Sequence, residues 1–158
     1  MQETRLPKEF LGLAGEYAVA SELCRRDVYA QLTLGNHKQT DILVETETHM
    51  LRISVKTKQG NEWPSISGLY RSDDYLVLVD LKGKADTDRP DFYILNLDDW
   101  QQLVLEARQH TPAISVDELN RVTYPDGWRG SNLTPKKVLA AQDQWHKIIS
   151  HITSSDKA

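Results

Sequence analysis

Two periods organise the chain. Between residues 8 and 26, Phe10, Leu13, Ala14, Tyr17, Ala18, Ser21 and Cys24 recur at helical spacing, predicting a helix with that stripe as its packing face. Gly12 and Gly15 weaken the helix intrinsically and permit close backbone approach. Glu16 falls off the stripe, and Cys24 falls on it. The period then drops to two. Residues 27–35 alternate as a first strand, broken at Gly35-Asn36. Thr40 to Gln59, TDILVETETHMLRISVKTKQ, reads as a hairpin of two strands around a polar turn. In its second strand Met50, Arg52, Ser54 and Lys56 share one face, and Leu51, Ile53, Val55 and Thr57 the other.

Residues 59–73 carry no period and hold Gly60, Pro64 and Gly68, which predicts a long loop. Residues 74–82 follow as a strand whose apolar run, Tyr75 to Val79, predicts burial on both faces. After a polar connection at 83–90, Asp91 to Leu97 reads as another buried strand. Asp98 or Asp99 then caps a helix from about Trp100 to Gln109. Four Pro and Gly residues leave 110–134 irregular, and Thr134-Pro135 opens a last helix. Leu139, Gln142, Trp145, Ile148 and Ile149 form its packing face, and the chain frays from Ser154 to Ala158. The expected class is α/β, one mixed sheet of about five strands flanked by helices.

Length and composition narrow the partners. A chain of 158 residues, 39% hydrophobic and 27% charged, most simply forms one domain, 1–158, in which 110–158 is an irregular segment plus a helix. No apolar run nears the ~20 residues that cross a membrane, and no secretory leader opens the chain, so the cytoplasm is the expected location. One cysteine excludes an internal disulfide and a cysteine-based zinc cluster. The five histidines show no ligand spacing, so no zinc is expected. A net charge of −4 argues against a general nucleic-acid coat, but not against a local basic patch.

The hairpin carries the candidate chemistry. Asp41 on one strand and Lys56 on the next can project from one side, either as a plain cross-strand pair or as a phosphodiester-cleaving set. Glu16, Thr40-Asp41 and Ser54-Val55-Lys56, in that order of elements, resemble the PD-(D/E)xK nuclease superfamily, which includes restriction endonucleases, Holliday junction resolvases and related homing endonucleases. The resemblance implies a restriction-endonuclease-like core and a metal-dependent DNA endonuclease using Mg²⁺ or Mn²⁺. It implies Asp41 as metal ligand, Lys56 as catalytic cation, Glu16 as accessory ligand and the Val55 carbonyl as a further donor. It also implies a homodimer, because cutting two strands takes two sites. The sequence departs at Ser54, where the superfamily carries an acid or Gln; a neutral, short hydroxyl is a poor ligand for a hard cation.

Lys58, Trp63, Arg71, Arg129, Lys136 and Lys137 are candidate nucleic-acid contacts, by charge or by base stacking. Arg52 also borders a phosphate path, and Tyr70 and Trp128 adjoin these cations. Trp100 and Trp145 belong to the core. Two rival readings stand beside the nuclease. One is a catalytically inactive nuclease-fold module that binds nucleic acid or a partner protein. The other is an acidic interaction or immunity protein with a basic partner.

Overall fold

The computed structural model describes residues 4–33 and 40–154. The expected break at Gly35-Asn36 and residues 155–158 lie outside them. The elements run α1 (Lys8–Cys24), β1 (Ala30–Leu32), β2 (Ile42–Glu45), β3 (Met50–Lys58), β4 (Trp63–Ile66), β5 (Asp74–Asp80), β6 (Asp91–Leu95), α2 (Leu97–His110), β7 (Ser115–Val116), β8 (Val122–Thr123), β9 (Ser131–Leu133), a 3₁₀ turn (Leu139–Ala141) and α3 (His146–Thr153). The architecture is mixed α/β. Five strands form one sheet in the order β1-β2-β3-β5-β6, antiparallel except where β3 and β5 run parallel.

Alternation along the strands builds two cores, one on each face of the sheet. Leu51, Ile53 and Val55 of β3 join Tyr75, Val77 and Val79 of β5 beneath α1 and α3. Leu76 and Leu78 point the other way, into a second core with Trp63, Trp100 and Tyr93. β5 is therefore covered on both sides, which is why its sequence is an unbroken apolar run.

The helix-forming stripe on α1 is not the buried one. Phe10, Leu13 and Tyr17 are exposed, as is Cys24, while Gly15, Val19, Ala20, Glu22 and Leu23 face the sheet. The reason is closeness of approach: a Cβ at residue 15 would overlap the Thr57 hydroxyl on β3. Gly15 lets the backbone lie flush, Val19 and Leu23 reach into the core, and Phe10, Leu13 and Tyr17 turn outward. Glu22 is buried as well. Burial works to raise its pKa, but hydrogen bonds from Arg26 and Arg89 outweigh this and hold the carboxyl below its ordinary range.

Three further expectations change. The loop 59–73 contains β4, which pairs with β9, so 110–134 is less irregular than its Pro and Gly content suggests. α2 starts three residues early because Asn96 is its cap: Asn96 Oδ1 accepts from the Asp99 N–H and Asp99 Oδ2 from the Asn96 N–H, both at 2.9 Å. The last helix starts at His146, not Pro135. Gln142 is extended and bridges Tyr93, and Asp143 takes a φ of 55°, so the chain breaks there. That break swings Trp145 onto Phe92, with ring centroids 5.3 Å apart.

The α1–β3 contact yields a direct test. Gly15→Ala is expected to lower unfolding free energy by about 1–3 kcal/mol, the usual cost of overpacking. Adding Thr57→Ala should return part of that loss, read by urea denaturation.

Candidate active site

The site forms where β3 outruns β2. β2 begins only at Ile42, opposite Ile53, while β3 continues to Lys58. Asp41 sits at that step. Its own N–H donates to the Ile53 carbonyl at 3.0 Å, and its Oδ2 accepts from the Val55 N–H at 2.7 Å. Those bonds fix the carboxylate beside β3. Within an extended strand one residue's N–H and C=O face the same side, so the Val55 carbonyl also faces Asp41.

α1 brings Glu16 to the same place. Its pKa is pushed up to about 7, first by burial, then by the charge of Asp41 and a hydrogen bond with the Asp41 carboxyl. Lys56 opposes the rise. Two carboxyls and one ammonium therefore converge, with each carboxyl raising the energy of charge on the other. The flush packing at Gly15 makes this possible, because Glu16 is the next residue along the helix. Among the described residues no three His, Cys, Asp or Glu side chains cluster as a metal site. The oxygen donors here are two carboxylates and one carbonyl.

Ser54 lies on the opposite side chain face of β3 from Val55. With Arg52 and Lys56 it lines a cleft of about 370 Å³, closed on its far side by residues 67–71 and by Asp74. Arg71 is on this rim, exposed, with its guanidinium 5.9 Å from the Tyr70 ring centroid. Sequence reasoning missed Asp74 as a cleft residue. Its signal was available only through register: Asp74 is paired with Arg52 across β3 and β5.

Two expected nucleic-acid contacts are interior instead. Lys58 is 4% exposed; its Nζ donates to Asp80 at 2.7 Å and to the Gly60 carbonyl at 2.9 Å. Trp63 is 1% exposed, donates to the Val79 carbonyl at 3.1 Å and lies 4.9 Å from the Lys58 ammonium. Alternation put Lys58 on the face of Lys56, but β4 folds back over that end of β3 and covers it. Arg129, Lys136 and Lys137 are exposed on the β8–β9 side, and Trp128 is half exposed. Lys136 and Lys137 sit in a turn before the 3₁₀ segment, so no α-helix N-terminus stands behind them. Trp100 and Trp145 are buried, as expected.

The fold is similar to that of a nuclease. One comparable solved structure is that of a bacterial homing endonuclease, I-Ssp6803I. It overlays 97% of this chain and 99% of its own with a TM-score of 0.56, at 12% sequence identity, so the likeness is one of fold. No protein-family model and no curated protein matches the sequence. Among the described residues no helix is long and apolar enough to cross a membrane.

Two outcomes follow from these environments. A carboxyl with its folded pKa raised from 4.5 to about 7 favours folding in its protonated form. Its contribution is therefore full below about 4.5 and lost as pH climbs through 7. In EDTA, the stability of wild type relative to Glu16→Gln should fall across that window, measured by thermal unfolding. Lys58→Ala should cost about 3–5 kcal/mol by leaving Asp80 unpaired in the interior; denaturant midpoints would read this.

Proposed function

We propose that the chain is a metal-dependent DNA endonuclease that hydrolyses phosphodiester bonds. The observation that carries this reading is the meeting of Glu16, Asp41 and Lys56 at the step between β2 and β3. A structural neighbour named as a homing endonuclease supports nuclease chemistry and DNA as the substrate. The PD-(D/E)xK assignment rests on the order of these residues, with serine at the second acidic position.

The donor set suits Mg²⁺ or Mn²⁺. Mg²⁺ commonly rests on one or two carboxylates and completes its shell with water and substrate phosphate. Asp41, Glu16 and the Val55 carbonyl would hold it. When bound, the ion supplies a hydroxide-like water and charge relief at the phosphoryl oxygens. The protein does the rest. The Val55 N–H holds the Asp41 carboxylate in place. Lys56 presents a fixed positive charge where negative charge develops. Ser54 faces the cleft and adds no third ligand charge. A homodimer would pair two such sites for double-strand cleavage.

The second reading is a nuclease-fold module that binds without cutting, and Ser54 is the observation that favours it. One experiment separates the two. Supercoiled plasmid and branched DNA are incubated with the protein in Mg²⁺ or Mn²⁺. Cleavage is expected, with Asp41→Ala and Lys56→Ala each slowing it by about 10²–10³-fold. Cleavage unchanged in both variants would refute the site. Ser54→Glu should raise Mn²⁺ affinity by calorimetry; wild type that binds DNA yet neither holds metal nor cuts would establish the binding module.

A further inference from the structure

The cleft beside the carboxylates is built more firmly than a groove for duplex backbone requires. Its outer wall is residues 67–71. Gly68 has a φ of 85° and lies against the Trp100 indole, where a Cβ would overlap the ring. The Leu69 side chain is buried, and its carbonyl accepts from Asn120 Nδ2 at 3.1 Å. Trp100 Nε1 donates to the Asn120 carbonyl at 2.9 Å, which locks indole, loop and wall together. The cleft is therefore preformed.

Its lining is specific in kind. In a chain of net charge −4, Arg52, Lys56 and Arg71 surround this space with a single acid, Asp74. Asp74 Oδ1 is buried and accepts no hydrogen bond among the described residues. The nearest cation, Arg52 Nη1, is 3.9 Å from it, beyond hydrogen-bond length. That oxygen has almost no exposed surface, so it is closed to a guest in the cleft. Tyr70 is 40% exposed at the same rim and offers an aromatic face. About 370 Å³ falls near the lower end of the roughly 300–1,000 Å³ that holds a small organic ligand. That space takes one nucleoside.

We propose that this cleft binds a single unpaired nucleotide next to the scissile phosphate. The base stacks on Tyr70, while Arg52 and Arg71 hold the flanking phosphates. The substrate class is then DNA carrying an extruded or unpaired base. Taking a base out of the stack costs a few kcal/mol, least where it is already unpaired. The proposal rests on the nuclease reading for its place beside a scissile bond, but not for the binding itself.

The test is fluorescence anisotropy with Ca²⁺ replacing Mg²⁺, comparing a fully paired duplex with the same duplex bearing one central bulged nucleotide. Wild type should bind the bulged duplex about tenfold tighter than the paired duplex, the scale of one base–aromatic stack. Tyr70→Ala, and separately Arg52→Ala with Arg71→Ala, should abolish that preference. Matched thermal unfolding would confirm that each variant folds. Equal affinity for paired and bulged duplex, or a preference that survives Tyr70→Ala and the double arginine variant, would overturn the pocket. Bulge preference without cleavage in Mg²⁺ would leave the pocket standing and remove the nuclease; cleavage without bulge preference would do the reverse.

Discussion

The contact on which the rest depends is the close seating of α1 on β3. It is made by absence: glycine at 15 leaves room for the Thr57 hydroxyl, and the helix backbone comes down onto the sheet. From that seating the next residue, Glu16, reaches the step at which β2 begins. Asp41 is already held there by the Val55 N–H, as part of the irregularity that ends the β2–β3 ladder. The site is thus a by-product of two chain terminations and one close helix approach. None of its members needs a specialised loop.

β3 divides the molecule by function as well as by burial. One face of it is sealed into the core under α1. The other carries Arg52, Ser54 and Lys56 to open space, then closes again at Lys58. Two lysines on one face, two positions apart, meet opposite environments. Lys58 is neutralised by Asp80 beneath β4, and Lys56 remains exposed. The boundary between core and cleft therefore falls within a single turn of the strand pleat.

Much of this was legible in the order of residues. Alternation in 50–58 sorted Arg52, Ser54 and Lys56 from Leu51, Ile53 and Val55, and the apolar run at 75–79 marked a strand covered on both sides. Glu16 could be named from a likeness to nucleases, but its nearness to Asp41 is a tertiary fact. The α1 stripe misled because apolar residues recur on two faces of the helix, and the close approach at Gly15 seats the one with Val19, Ala20 and Leu23. Lys58 and Trp63 misled because charge and loop position say nothing of a strand folding back over them. The α2 cap was displaced by one reciprocal pair of hydrogen bonds, between Asn96 and Asp99. Asp74 and the locked wall at Gly68 depend on register and on Asn120, some fifty residues away, and no local pattern records them.

The outward turn of Phe10, Leu13 and Tyr17 has a meaning beyond packing. Apolar residues stand on two faces of this helix, and Val19, Ala20 and Leu23 fill the core from the other one. A roll that seated the outer stripe would lift Gly15 off Thr57 and carry Glu16 away from Asp41. The steric fit at Gly15 therefore chooses which apolar face the sheet receives. The face left in water is apolar too, and it is the reverse side of the reactive centre.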